Sequence, residues 1–90
     1  MREVVQTAQF KKDLRKIARS GRHRVEDLLE AVGDLAKGER LPERYRDHAL
    51  TGELSAFREC HIRPDWLLMY TLAPNRLILV RTGSHSELFD

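Results

Sequence analysis

Apolar and polar residues recur along this chain with two periods, and the change of period divides it into a helical half and a strand half. Val4-Val5, flanked by polar residues, predicts a short first strand. From Thr7 onward, Phe10, Leu14, Ile17 and Ala18 return at three- and four-residue spacing, which is one face of a helix. Lys11, Lys12, Arg15, Lys16 and Arg19 fill the opposite face, and Ser20-Gly21 ends the pattern. A second helix is predicted from about Arg22 to Lys37, with Val25, Leu28, Leu29, Val32, Leu35 and Ala36 facing inward and Gly38 as its stop. Gly33 in its middle weakens it by about 1 kcal/mol relative to alanine. Glu39 to Ser55 has no clear period and reads as a long loop.

The period then shortens to two. Phe57 to Ile62 alternates Phe57, Glu59 and His61 against Arg58, Cys60 and Ile62. Trp66 to Leu72 is apolar on both faces, as a central strand should be. Leu77 to Thr82 gives a third strand, reached through the turn Ala73-Pro74-Asn75-Arg76. Ser84 and Glu87 have the spacing of a capping box, so a last helical turn is predicted toward Phe89. Strand, two-helix hairpin and three-stranded meander together predict an α+β fold with a small antiparallel-rich sheet, one face covered by the helices.

Ninety residues, 41% apolar and 33% charged, allow one small domain over residues 1–90. No apolar run approaches the roughly 20 residues that span a bilayer, and Met1-Arg2-Glu3 is too polar to open a secretory signal. A single cysteine, Cys60, excludes an internal disulfide and fits a reducing cytoplasm. Length and the lack of a glycine-rich loop exclude a doubly wound nucleotide-binding fold. The net charge of +2 hides an asymmetry: residues 1–24 hold eight Lys/Arg against two acids, and the remainder is net acidic. The basic helix face therefore points to nucleic acid or another polyanion, with a solvated face as the alternative.

Turn geometry places chemistry at one end of the sheet. His61 closes the first meander strand, and Asp65 and Trp66 open the second across Arg63-Pro64. The third strand returns to that edge, where Arg81 and then His85 emerge, so His61, Asp65, Arg81 and His85 should converge. His48 lies nine residues before Phe57, a span of at most about 30 Å, which is long enough to reach the same edge. His23, at the helix–helix turn, has no partner in this reading.

Histidines titrate near neutrality, so two or three together can divide the acid and base roles of a proton transfer. Arg81 suits a phosphate, and Asp65 can orient an imidazole. With no serine or cysteine nucleophile in the set, cleavage of RNA by its own 2′-hydroxyl fits. The same residues allow a metal site built from His48, His61, Asp65 and His85, although no zinc-type spacing is present. A structural reading pairs His61 with Glu59 and lets Asp65 cap its turn. Cys60 reads as core packing. Trp66 reads as core as well, with stacking on a base as its functional alternative.

Tyr45 to Gly52, Cys60 to Tyr70 and Arg81 to Phe89 together resemble the YafQ branch of the RelE/ParE toxins of type II toxin–antitoxin pairs, in order and over essentially the whole chain. The resemblance implies a RelE-like fold and a cytoplasmic, ribosome-dependent mRNA endonuclease neutralised by a cognate antitoxin in a hetero-oligomer, with no cofactor and no membrane partner. It implies active-site roles for His48, His61, Asp65, His85 and Phe89. Within it, His85 is read as general acid, His48 or His61 as base, Asp65 as orienting group, Arg81 as phosphate clamp and Phe89 as a base-stacking ring. Lys11, Lys12, Arg15, Lys16 and Arg19 would hold ribosomal RNA. Ala56, where a glycine is expected, and Asp90, beside Phe89, are the departures. A non-enzymatic, ParE-like inhibitor of DNA gyrase on the same scaffold is the alternative.

Overall fold

A computed structural model describes residues 1–89; Asp90 lies outside the described residues. Strand β1 (Glu3–Gln6) leads directly into helix α1 (Ala8–Ser20) through Thr7. The Thr7 hydroxyl accepts from the Phe10 amide and donates to the Val80 carbonyl at 2.8 Å, so one side chain caps the helix and ties it to a distant strand. Gly21 ends α1 in the left-handed conformation, at φ 69°, where a side chain would be strained. Helix α2 runs Val25–Ala36, three residues later than its predicted start, because Arg24 is still extended.

Three strands follow in an antiparallel meander: β3 (Arg58–Arg63), β4 (Trp66–Ala73) and β5 (Arg76–Gly83). The predicted long loop holds more order than its pattern implies. It contains two single 3-10 turns, Glu43–Tyr45 and Gly52–Leu54, and a two-residue strand β2 (His48–Ala49) paired with β3. Leu41 and Tyr45 from this segment are buried in the core. Elements of two or three residues are too short to impose a period, which is why the sequence reads as a loop. A five-residue helix α3 (His85–Phe89) closes the described chain. Its capping box forms as expected: the Ser84 amide donates to Glu87 Oε1 at 2.8 Å and the Glu87 amide to Ser84 Oγ at 3.2 Å.

The sheet order is β1-β5-β4-β3-β2, so β4 is central. β1 runs parallel to β5, with Glu3 opposite Arg76 and Gln6 opposite Leu79; the other pairs are antiparallel. Both helices pack on one face, where Phe10, Ile17, Leu28, Val32, Leu35, Cys60, Ile62, Trp66, Leu68, Tyr70, Leu77 and Leu79 share one buried cluster. Leu67 and Met69, the intervening residues of β4, are buried outside that cluster, on the other face. Leu29 and Ala18 do not face inward as predicted. Leu29 is 56% exposed, one residue off the stripe of Leu28, Ala31, Val32 and Leu35, and Ala18 is exposed beside Ile17.

Candidate active site

Alternation along β3 separates two kinds of residue. Cys60 and Ile62 point into the helix-covered core, so Glu59 and His61 take the opposite face. Register then defines two rows across that face. His48 stands opposite Glu59, Glu59 opposite Met69, and Met69 opposite Arg81; His61 stands opposite Leu67, and Leu67 opposite Gly83. His48 and His61 are thus diagonal neighbours on adjacent strands, within reach of each other's side chains. His85 follows two residues after Gly83, and its ring lies 4.9 Å from that of Phe89. A Cβ on Gly83 would stand 3.1 Å from Glu87 Oε1, so a side chain there would make the capping carboxylate give by a few tenths of an ångström.

His48 has an acceptor oxygen beside each ring nitrogen. Nδ1 lies 2.6 Å from the Arg46 carbonyl oxygen, and Nε2 lies 3.1 Å from Glu59 Oε1. Arg46 is in the left-handed region at φ 49°, alone among the non-glycine residues described. Next to it, Asp47 accepts from the Tyr70 hydroxyl and from Arg58 Nη2 at 3.2 Å, which anchors this short segment to the sheet. Burial pushes the Tyr70 hydroxyl up, and its bond to Asp47 adds to the shift.

Asp65 and Trp66 sit elsewhere, and Arg81, although it ends the first row, has its guanidinium on Asp13. Asp65, on the β3–β4 turn, has Arg22 Nη2 at 3.6 Å and His23 Nε2 at 3.8 Å. The imidazole it meets is that of His23, and not one from the sheet face. His23 is therefore partnered, contrary to its sequence reading: its ring stacks on Trp66 at 4.8 Å and its side chain is only 18% exposed. Trp66 is 1% exposed and donates from Nε1 to Thr82 Oγ1 at 2.8 Å. With one ring face on His23 and the rest in the core, it is unavailable to a base.

Arg81 is not a free phosphate clamp either. A bulge at Val80 interrupts β5 as Met69 pairs with Arg81 and Tyr70 with Leu79. Arg81 donates through Nε and Nη2 to Asp13 of α1 at 2.9 and 3.2 Å. β1 has ended by this point, and Asp13 also accepts the Thr82 amide on the exposed edge of β5. Burial pushes the Asp13 carboxyl up, but hydrogen bonds from Arg81, Gln9 and Thr82 outweigh it and leave the group below its ordinary value.

Between α1 and this end of β4 and β5 lies a groove of about 410 Å³, bordered by Lys12, Lys16, Asp65, Arg81 and Glu87. Lys16 is ion-paired with Glu87 at 2.8 Å, so one of the five predicted RNA-binding cations is already compensated. Lys11, Lys12, Arg15 and Arg19 are exposed and form no ion pair among the described residues.

Known proteins share both this sequence pattern and this geometry. A family model described as the bacterial toxin of type II toxin–antitoxin systems, YafQ, matches residues 2–90. The chain belongs to the YafQ toxin family. It is 36% identical over 90 residues to the mRNA interferase toxin YafQ of Escherichia coli K12, covering 98% of this chain and 96% of that protein. The crystal structure of the E. coli DinJ–YafQ complex matches with a TM-score of 0.88 at 33% identity, with both chains covered in full. A metal-bound toxin from Helicobacter pylori matches at 0.92 and 44% identity, covering 99% of this chain and all of that one. The E. coli YafQ structure agrees with the α+β architecture and its mostly antiparallel sheet. A resident metal does not fit the side chains as they stand here: among the described residues, no three His, Cys, Asp or Glu side chains gather as a metal ion requires. The four-residue ligand set read from the sequence is split, with His48 on Glu59 and Asp65 on His23.

Glu59 is the site residue that sequence reasoning left out. Its position two residues before His61 on one strand already put it on the histidine face; what was missing was β2, which brings His48 to it.

Proposed function

We propose that this YafQ-family chain is a cytoplasmic, ribosome-dependent mRNA endonuclease, inhibited by a cognate antitoxin in a hetero-oligomer, that uses the RNA's own 2′-hydroxyl as nucleophile. The observation that carries the reading is the placing of His48 and His61 as neighbours on the sheet face not covered by the helices, with His85 just beyond the end of the same row. The E. coli relative's name as an mRNA interferase and its complex with DinJ support the activity and the antitoxin. Among the described residues, no helix is long and apolar enough to cross a membrane.

The 2′-hydroxyl proton goes to His48 or His61, the 2′-oxygen attacks phosphorus, and His85 protonates the departing 5′-oxygen. Arg81 keeps Nη1 for a phosphate oxygen while Nε and Nη2 remain on Asp13. Phe89, beside His85, offers a ring to a base. Lys11, Lys12, Arg15 and Arg19 bind ribosomal RNA on the exposed side of α1, and Lys16 joins them if its Glu87 contact opens. Asp65 holds the α1–α2 turn beside the groove through Arg22 and His23.

A single 2′-deoxy substitution before the scissile phosphate tests the mechanism. On a programmed ribosome it should abolish cleavage with little loss of binding. Unmodified mRNA should give a 2′,3′-cyclic or 3′-phosphate upstream and a 5′-hydroxyl downstream. Fragments bearing 5′-phosphates would mean that water attacked, and the roles given to the histidines would be wrong.

A further inference from the structure

We propose that Asp13 is a positioning residue that aims the Arg81 guanidinium at an RNA phosphate seated in the groove between α1 and the end of β5; this rests on the nuclease reading given above.

The Arg81 backbone ends a row on the sheet face without helices, yet its side chain turns over the exposed edge of β5 onto α1. Asp13 takes one edge of the guanidinium, Nε at 2.9 Å and Nη2 at 3.2 Å. Because the two groups meet as a planar fork, the orientation of the guanidinium is fixed along with its position. A guanidinium donates from two edges, so holding one leaves the other for a ligand. Nη1 and the outer hydrogen of Nη2 make no hydrogen bond among the described residues, and Arg81 borders the groove.

Asp13 is itself placed before any ligand arrives. Its side chain is 10% exposed, and each of its oxygens accepts twice. Oδ2 accepts from Arg81 Nε and the Thr82 amide, and Oδ1 from Arg81 Nη2 and Gln9 Nε2. With its lone pairs engaged, the carboxylate has no capacity left for a proton or a ligand of its own. Tying α1 to β5 does not require the arginine. Thr7 already bonds Val80, Phe10 and Ile17 lie in the core, and Asp13 reaches β5 through the Thr82 amide. Charge around the groove favours an anion. Asp13, Asp65 and Glu87 each face a cation, while Lys12, beside Asp13 on α1, forms no ion pair among the described residues. A phosphodiester matches both features: its paired oxygens fit the open edge of the guanidinium, and its charge complements the groove.

The test turns on sign. A carboxylate beside an RNA strand repels it, so removing that charge should help unless the carboxylate serves the arginine. Asp13→Asn keeps an acceptor for Thr82 but loses the second oxygen of the fork. This variant, Arg81→Ala and the double variant are compared by single-turnover cleavage of mRNA on a programmed ribosome. Asp13→Asn alone should slow cleavage on the order of 10-fold. In the Arg81→Ala background the same change should leave the rate unchanged or raise it. Equal losses in both backgrounds would mean a structural role, and Asp13→Asn cleaving at or above the parental rate would mean that Asp13 only repels. Either result overturns the assignment. Arg81→Lys decides the case where Asp13→Asn fails to fold, since it leaves Asp13 and the charge at position 81 in place. Lysine has no planar fork to aim, so this variant should cleave about 10-fold more slowly while unfolding at nearly the parental urea concentration. Cleavage by Arg81→Lys at the parental rate would show that charge alone suffices, and would also overturn the assignment. The 2′-deoxy result and the product ends of the parent judge the nuclease reading separately.

Discussion

Glu59 and Cys60 are adjacent in sequence and almost equally buried, and they illustrate what each face of the sheet is for. Cys60 lies in the helix-covered cluster, and burial, with the nearby carboxylates of Asp47 and Glu59, pushes its thiol up to about 12. It is chemically silent and fills space. Glu59, one residue earlier, carries a carboxylate with one oxygen on a histidine and the other on nothing. Burial of Cys60 is satisfied by packing alone. Burial of Glu59 on the other face leaves an electrostatic demand that the neighbouring His48 can meet.

The comparison breaks most visibly at tryptophan. Trp66→Ala removes a fully buried ring and its bond to Thr82, and should cost about 3–5 kcal/mol in urea unfolding, a large part of a small domain's stability. His61→Ala on the opposite face should stay within about 0.5 kcal/mol of the parent while cleavage falls. Similar losses of stability from both would mean that His61 is itself a packing residue.

A smaller effect is expected at α3. His85→Ala should slow cleavage on the order of 10²-fold, about 2.7 kcal/mol of barrier, with unfolding and antitoxin binding retained. Full toxicity in cells would remove His85 from the chemistry and confine the functional face to β2 and β3.

Smallest is a pH effect on the contacts that join α1 to β5 and α3. Hydrogen bonds from Lys16 and Ser84 hold the Glu87 carboxyl down at about 2, and Asp13 is lowered as well. Carboxyls depressed by folding stabilise fully above their unfolded values, near pH 4, and lose that contribution as pH falls through the folded ones. Stability should therefore decline from about pH 4 toward 2, and Glu87→Gln should flatten part of the decline in urea titrations at several pH values. Identical slopes would show that the ion pair with Lys16 contributes nothing to the docking of α3.

Features carried by contiguous residues are legible in the amino-acid sequence alone. The apolar run of β4, the Thr7 and Gly21 boundaries of α1, and the Ser84–Glu87 capping box each depend on neighbours within a few positions. The sequence also put His61 and His85 at one end of the sheet. What escaped it depends on pairing across distance. Two residues of β2 leave no period, yet they place His48 on Glu59. The α1–α2 turn brings His23 to Trp66 and Asp65, and the bulge at Val80 accompanies Arg81 turned onto Asp13. None of these partners lies near the other in the chain, so local patterning could not distinguish a paired group from a free one.

The parallel pairing of β1 with β5 also has a temporal consequence. Residue 3 lies opposite residue 76, so β1 must wait for β5 to be made before its backbone groups are satisfied. Thr7 likewise ties the start of α1 to Val80. Contacts this distant in sequence form late, after the entropy of closing the intervening chain has been overcome. Throughout its own translation the nascent chain therefore has helices without the strand that anchors them, and His85 follows only after β5. The order of synthesis thus delays assembly of the complete histidine face until β5 and α3 have been made.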